Sequence, residues 1–220
     1  VYWLIPSLAE SSAIQRDLDV LRYTEGKLHF SGISTKEGVV LLKKAKEEGL
    51  NISADVHALN LLFNDSTIED LDTNLKVFPP LREEQDRLSL INGVKSGVID
   101  VIVSNHQPHE EDVKKLEYDY ADFGAGMLEG TVSGLLTFTT LTISDIEKSM
   151  CVNPRSILKL NQQKFEIGEV FNATIIDVDE EWMFDQSSIK SKSKNCPFLD
   201  KKMKGKVKAV FNNGQYQLIN

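Results

Sequence analysis

The sequence of 220 residues is 41% hydrophobic and 26% charged, a composition typical of a globular protein. Its formal net charge of −8 argues against a nucleic-acid or anionic-membrane partner, because both bind basic patches. No run approaches the roughly 18 apolar residues that a membrane-spanning helix needs. We therefore expect a soluble protein with neither kind of partner.

The two cysteines, Cys151 and Cys196, are far apart and lack the CxxC spacing of a zinc or redox site. We expect free thiols in a reducing cytoplasm. The chain begins at Val1, without a methionine and without the charged n-region of a signal peptide. These features predict a piece of a longer cytoplasmic protein.

The first 160 residues alternate helical and strand patterns. Ser7 and Glu10 match a capping box at the start of the first helix, while Thr35 and Gly49 are placed to begin and end the second. The segment 98–104 is almost wholly apolar, as in a strand buried on both faces. The predicted helices are 7–23, 35–48, 83–96, one from about 128, and 143–150; the predicted strands are 27–33, 51–56 and 98–104; and 72–82 is an extended loop.

This alternation predicts an α/β fold with a parallel sheet. A complete TIM-like (β/α)8 barrel takes about 250 residues, so residues 1–160 are expected to form roughly half of one. From Phe165 onward, short β-like segments (169–177, 206–211 and 215–219) are broken by glycines, with a polar loop at 187–194. We predict a second, small β-domain over 161–220, as a β-sandwich segment.

Four stretches carry a more specific signal. Residues 72–82 read DTNLKVFPPLR, 97–109 read GVIDVIVSNHQPH, 29–35 read HFSGIST, and 123–129 read FGAGMLE. They resemble the motifs DTN-x-KV-N-PPLR, G-x-ID-x-I-x-SDH-x-PH, H-x-x-H-x-ST and FG-x-x-GLE of the dihydroorotase family in the amidohydrolase superfamily. The resemblance runs in order over essentially the whole chain, which is similar to the C-terminal portion of that family.

The resemblance implies a metal-dependent cyclic amidohydrolase that interconverts carbamoyl aspartate and dihydroorotate in pyrimidine biosynthesis. Such chemistry uses zinc to polarise a carbonyl and to generate hydroxide, a carboxylate for proton transfer, and donors that hold the substrate carboxylate. In TIM barrels these groups lie at the carboxyl ends of the strands, where Gly32 and Asn105 fall here.

Three of the family's chemical positions are substituted in this chain. The resemblance places Asn105 at an aspartate that is both metal ligand and proton shuttle, Gly32 at a metal-binding histidine, and Phe78 at a substrate-holding asparagine. An amide cannot take up a proton near neutral pH, and glycine offers no ligand atom. We therefore expect the substitutions N105D and G32H together to recover metal binding before activity.

Other positions of the family are retained. His109 matches a histidine that contacts the substrate carboxylate, and Phe123 and Gly124 match a backbone contact to the substrate ring. The residues alone leave an alternative for His109, a hydrogen bond to the neighbouring carboxylate of Glu110 or Asp112.

The remaining histidines and Arg82 have plainer interpretations. His57 lies two residues before a position where the family often has histidine, and we expect it to be hydrogen-bonded or exposed rather than a ligand. His29 is expected to pack or bond at the start of its strand. Arg82 is interpreted as an ion-pair partner of an acidic residue within 83–86, with anion binding as the alternative.

The family's H-x-H zinc pair, its bridging carboxylate and a further histidine all precede the portion that this chain resembles. The chain has four histidines and no H-x-H. We therefore expect zinc to be absent or weakly bound in this protein, and we expect the missing N-terminal half of the barrel as a partner.

Three functions are compatible with these residues. The preferred one is a catalytically degenerate dihydroorotase homologue, which as a non-catalytic scaffold would support aspartate transcarbamoylase. The second is an active zinc hydrolase completed by the missing half, and the third is an altered ligand site made more apolar by Phe78. A homodimer is a further possible assembly.

Overall fold

The computed structural model describes residues 5–68 and 71–219. Residues 1–4, on which the expectation of no signal peptide rests in part, lie outside these ranges. The helices are α1 (Ser7–Thr24), α2 (Lys36–Glu47), α3 (Ala58–Leu62), α4 (Glu84–Ser96), α5 (Glu111–Lys114), α6 (Thr131–Phe138), α7 (Ile143–Glu147) and α8 (Asn153–Ile157). The strands are β1 (Leu28–Phe30), β2 (Ile52–His57), β3 (Val101–Val103), β4 (Ala173–Phe184), β5 (Lys201–Asn212) and β6 (Gln215–Leu218).

The first two helices form close to where the sequence predicts them, but only α2 has the predicted N-terminal cap. Helix α1 buries one apolar stripe at helical spacing. Its N-cap is Pro6, which makes no side-chain hydrogen bond, so the capping box predicted at Ser7 is wrong. Helix α2 starts as expected, because the Thr35 hydroxyl accepts a hydrogen bond from the backbone N–H of Gly38 at 3.0 Å.

Strands β1, β2 and β3 form a parallel sheet in that order, which confirms the predicted parallel α/β sheet. The central strand β2 pairs on both sides, and its Ala54 and Val56 are fully buried. Strand β3 covers only part of the predicted 98–104, because the N–H of Ile99 bonds back to the carbonyl of Gly93 in α4. Helix α3, which follows β2 directly, was not predicted.

Strands β4, β5 and β6 form an antiparallel sheet. Asn213 and Gly214 make the two-residue turn between β5 and β6 with φ of 49° and 78°, the positive values that this hairpin type requires. Strand β4 starts later and runs further than the predicted 169–177, since cross-strand pairing with β5 continues to Phe184. Within the described residues this region is a single three-stranded sheet, so the β-sandwich and the division at 160 stay predictions.

The second sheet packs on the first region through α6 and the segment before β5. Phe198 is fully buried against Gly130 and Gly134, where added Cβ atoms would lie as close as 2.2 Å and 2.9 Å to neighbouring side chains. The Ser133 hydroxyl donates to the carbonyl of Gly205 in β5. Gly130 is therefore required by the close approach of the Phe198 ring, whereas Gly134 lies against both Leu62 and Phe198.

No helix in the described parts of the chain combines the length and the apolar character needed to cross a membrane.

The substitution Gly130→Ala is expected to destabilise the protein by about 1–3 kcal/mol, because its methyl group overlaps the Phe198 ring. Gly26→Ala is the matched control, since a Cβ there meets no atom closer than 3.7 Å. Urea unfolding of both variants measures the difference. Equal stability of the two would show that Phe198 does not fix this contact.

Candidate active site at the strand ends

The carboxyl ends of the three parallel strands meet at one edge of the sheet, as parallel pairing requires. Gly32 follows β1, His57 ends β2, and Asn105 follows β3. The structure thus brings together two of the substituted positions, Gly32 and Asn105, with a histidine between them.

The backbone at Gly32 is fixed by the neighbouring strand. Its φ is +74°, a left-handed conformation that favours glycine, and its N–H donates to Asp55 Oδ1 at 2.7 Å. The other oxygen of the buried Asp55 carboxylate pairs with His29 Nε2 at 3.0 Å, and His29 Nδ1 lies 2.7 Å from the Ser53 hydroxyl. The prediction that His29 is a bonded strand residue is confirmed.

His57 differs from its expected role. Its Nδ1 atom is buried and has no hydrogen-bond partner among the described residues, so the histidine is neither fully bonded nor freely exposed. Burial lowers the pKa of His57, while the Asp55 carboxylate and a hydrogen bond with the Phe78 backbone act in the opposite direction. The imidazole is therefore neutral at neutral pH.

Asn105 adopts φ of 47°, a left-handed conformation that asparagine tolerates. Its amide nitrogen lies 3.5 Å from the carbonyl oxygen of Phe78, and its amide oxygen accepts a hydrogen bond from Gln107 at 2.9 Å. The amide is consequently oriented by two polar neighbours, and it offers neither a negative charge nor a titratable proton.

Phe78, whose backbone carbonyl faces the Asn105 amide, pairs its ring with that of Phe123. Phe78 is 56% exposed and Phe123 is 42% exposed, and their rings meet edge to face with centroids 6.1 Å apart. The Lys76 ammonium lies 4.9 Å from the centroid of Phe123. Phe78 thus presents a half-exposed apolar ring next to the strand ends.

His109 lies against the segment that contains Phe123 and Gly124. His109 Nε2 lies 2.9 Å from the carbonyl oxygen of Phe123, and the nearby carboxylate is that of Asp122 at 3.9 Å, not that of Glu110 or Asp112. Gly124 has φ of 138°, and a Cβ there would lie 2.7 Å from His109 Nε2. Only glycine allows this approach.

The C-terminal segment also reaches the site through Asn195. Its side-chain oxygen accepts a hydrogen bond from the backbone N–H of His109 at 3.0 Å, and its backbone carbonyl accepts one from Gly126 at 2.7 Å. Asn195 follows His109 by 86 residues, and sequence reasoning assigned it no contact with the site. No local pattern could have revealed this pairing.

Two buried lysines hold the loop that carries Phe123 and Gly124. Lys76 donates to the carbonyls of Tyr118 and Asp119 at 2.7 and 3.0 Å. Lys114 donates to the carbonyls of Asp122 and Gly124 at 2.8 and 2.9 Å. Each lysine is only 5% exposed, and backbone carbonyl oxygens accept the hydrogen bonds of its ammonium group.

Burial is the main cause that lowers the pKa of Lys114 to about 8; the charge of Lys76 acts in the same direction, while Asp72 and Asp122 act to raise the pKa. Lys76 stands in the motif DTNLKVFPPLR, but neither lysine was predicted from sequence to be buried, because both lie in segments whose polar pattern is that of a surface loop.

Glu10 organises the turn that follows Gly32. Its carboxylate accepts hydrogen bonds from the backbone N–H groups of Ser34 and Thr35 at 3.0–3.1 Å, and from both hydroxyls. The residue that the sequence assigned to a helix cap therefore fixes the strand end instead.

Arg82 also points to this turn. Its Nε donates to the Ser34 hydroxyl at 3.2 Å and its Nη1 donates to the carbonyl of Ile5. The predicted ion pair with an acidic residue of 83–86 is wrong, because the chain folds Arg82 toward the end of β1 and away from the start of α4.

Both cysteines are free, as predicted: Cys151 is exposed and Cys196 is buried. Burial raises the pKa of the Cys196 thiol to about 11, which makes it unreactive at neutral pH.

The described residues do not fit a zinc ion by themselves. Over 5–68 and 71–219, no three histidine, cysteine, aspartate or glutamate side chains lie close enough together to hold a metal ion. Gly32 contributes no donor atom, and the amide of Asn105 is a weak ligand for zinc compared with imidazole, thiolate or carboxylate.

Comparison with known proteins places this geometry in context. No family model matches the chain. It is 38% identical over 215 residues to a dihydroorotase of Thermoanaerobacter sp. (strain X514), a match that covers 96% of this chain and 50% of that protein. It is 33% identical over 215 residues to a dihydroorotase of Ehrlichia canis (strain Jake), covering 96% and 48%.

Two solved structures share the fold. An L-hydantoinase (dihydropyrimidinase) from Arthrobacter aurescens matches with a TM-score of 0.88 at 24% identity, over 98% of this chain and 51% of that one. The inactive dihydroorotase-like domain of a CAD-like multifunctional protein from Chaetomium thermophilum matches with a TM-score of 0.67 at 22% identity, over 90% and 53%.

The structural likenesses define the class: an α/β fold shared with half-length portions of hydantoinase-type amidohydrolases. The sequence relatives agree with the motifs, since over 96% of its length the chain is homologous to about half of each of these dihydroorotases. It spans about half the length of the curated relatives that it matches, which agrees with the predicted C-terminal portion.

We expect Glu10→Gln to destabilise the protein by about 2–4 kcal/mol, because an amide nitrogen would face backbone N–H groups that now bond to a carboxylate. Glu37→Gln on the exposed face of α2 is the control, with a change below about 1 kcal/mol. Chemical unfolding measures both. A loss for E10Q no larger than for E37Q would contradict the role assigned to Glu10.

The lowered pKa of Lys114 predicts a particular pH dependence. Between pH 8 and about pH 10.4, the pKa of an unfolded lysine, the unfolded state binds more protons at this site, so the site's contribution to stability rises with pH. The stability of the native protein relative to Lys114→Met should therefore increase by on the order of 2 kcal/mol from pH 7 to pH 10.

Lys115→Met is the matched control for this prediction. Its neighbour Glu111 raises the pKa of Lys115, so its contribution is present at low pH and declines as the pH rises through the folded pKa. Urea unfolding at pH 7, 8.5 and 10 measures both series. If the stability of the native protein relative to Lys114→Met stays constant or falls as the pH rises, the assignment of Lys114 as a buried ammonium group is refuted.

Proposed function

We propose that this chain is one half of a dihydroorotase-like cyclic amidohydrolase homologue of pyrimidine biosynthesis that no longer interconverts carbamoyl aspartate and dihydroorotate. The observation that carries the proposal is Asn105 at the end of β3. Its amide is held by Gln107 and by the Phe78 carbonyl, at the position where the family motif has an aspartate.

The chemical reason is proton transfer. Ring opening and closing of a cyclic amide both require a group that takes up and returns a proton at the reacting nitrogen or water. An amide side chain cannot do this near neutral pH. The retained contacts of His109, Phe123 and Gly124 could orient a substrate, but orientation alone does not replace the missing base.

The other two substitutions act on different parts of the same reaction. Gly32 removes a donor for a metal ion that would polarise the carbonyl and activate water. Phe78 replaces a hydrogen-bonding group by an apolar ring that is 56% exposed. We propose that zinc is absent or weakly bound, and that the site has lost affinity for the carboxylates of the family's substrates.

We propose that the chain functions together with the remaining half of a barrel, because its relatives are about twice its length. The described residues leave one edge of β1 and one edge of β3 without a strand neighbour, and such edges require cover. The two free thiols fit the cytoplasmic location that we propose for the assembly.

A non-catalytic scaffold role is the particular function that we favour. The Chaetomium thermophilum neighbour is described as an inactive dihydroorotase-like domain of a multifunctional protein, which supports the idea that this fold is kept where chemistry is not. For the present chain the proposed partner is aspartate transcarbamoylase, with a homodimer as the simpler assembly.

The deciding experiment assays the full-length protein that contains this chain in both reaction directions, with added zinc. We expect a folded protein with less than one bound zinc per site and no turnover. Turnover at ordinary enzyme rates, about 1–10³ per second, would overturn the proposal and favour an active zinc hydrolase completed by the other half.

A second measurement tests the scaffold role. The full-length protein and aspartate transcarbamoylase from the same source are mixed and analysed by size-exclusion chromatography with light scattering. Co-elution in a fixed ratio is expected. Separate elution at micromolar concentrations would leave the homodimer as the assembly to be examined.

A further inference from the structure

The imidazole of His57 stands where a side chain of residue 32 would begin. A Cβ atom on Gly32 would lie 3.2 Å from both Cε1 and Nε2 of His57, and 3.3 Å from Cδ of Pro79. Ordinary van der Waals contact of a Cβ begins at 3.4 Å. Any side chain at position 32 therefore meets the imidazole at its first atom.

The Gly32 backbone cannot easily move away from this contact. The N–H of Gly32 donates to Asp55 Oδ1 at 2.7 Å, and the N–H of Ile33 donates to the Asp55 carbonyl at 3.0 Å. Both bonds tie the end of β1 to β2, the strand that carries His57. The two residues are therefore held at a fixed separation by the sheet.

Hydrogen bonding explains the place of His57 only in part, because the ring bonds to the Phe78 backbone while one of its nitrogens has no partner among the described residues. Nδ1 is buried without a hydrogen-bond partner among the described residues, and a polar atom in that state is destabilising. What the ring does supply is volume beside Gly32, because together with Pro79 Cδ it crowds the position that a Cβ of residue 32 would take. The absence of a side chain at position 32 thus leaves room for the His57 ring.

We propose that His57 determines whether position 32 can hold a ligand side chain, because its imidazole occupies the space into which that side chain would extend. The inference rests on the proposed loss of metal chemistry and deepens it. A histidine placed at position 32 would then not bind a metal while His57 is present. The substitutions G32H and N105D, which were expected from sequence to recover metal binding, would need a third substitution at His57.

A double-mutant cycle on the full-length protein tests the contact without any assay of activity. Gly32→Ala introduces only the Cβ, and Gly97→Ala is the matched control, since Gly97 has φ of 76° and nothing within 4 Å of its Cβ. Both variants carry the same backbone strain. We expect G32A to lower Tm by about 3 °C more than G97A, and this excess to shrink by more than half when His57→Ala is also present.

The outcome of the cycle is decisive in either direction. An excess that is unchanged by H57A would mean that His57 does not restrict position 32, and the proposal would be overturned. If H57A prevents folding, His57→Ser, which keeps a small polar group, replaces it in the same cycle.

Zinc content supplies the second readout. After dialysis against zinc, the variants G32H/N105D and G32H/N105D/H57A are compared by metal analysis. Roughly tenfold tighter zinc binding is expected in the triple variant. Equal zinc affinity in the two, whether high or low, would contradict the proposal. Activity in the unmodified protein would instead refute the proposed function, so the two failures are distinguishable.

Discussion

Parallel pairing of β2 with β1 on one side and with β3 on the other is the constraint from which the site follows. This register places the segments after all three strands at a single edge, and the buried Asp55 carboxylate in β2 ties the end of β1 to it through the N–H of Gly32. The carboxylate is compensated by His29 on its other oxygen. If this pairing changed by one residue, His57 would face the opposite side of the sheet and the geometry at Gly32 would be lost.

The loop that carries Phe123 and Gly124 depends on a different kind of interaction. Its carbonyl groups point inward and would be costly to bury without donors. Lys76 and Lys114 supply those donors as ammonium groups, and Asn195 adds a contact from the far end of the chain. Retention of this costly support fits a protein in which the shape of the site has been kept.

Under the proposed function, the chemistry and the scaffold of this site have separate fates. The turn after Gly32 is held by the Glu10 carboxylate, and the glycine at 124 still allows the approach of His109. At the two positions to which the family resemblance assigns proton transfer and metal binding, this chain has an amide at 105 and no side chain at 32. The residues that hold the backbone of the site are thus different from those at its reactive positions, so one set can change while the other stays.

The sequence by itself determined the features that depend on neighbouring residues. The periodicity of α1, the cap of α2 at Thr35 and the turn at Asn213 are local, and the ordered motifs revealed the resemblance to dihydroorotases despite departures such as Asn105. Only the tertiary structure decided that Arg82 bonds to the turn after β1, that Asn195 supports His109, and that His57 fills the space beside Gly32. Such contacts join residues tens of positions apart, and no local preference for a helix, strand or turn encodes which distant group will become the neighbour.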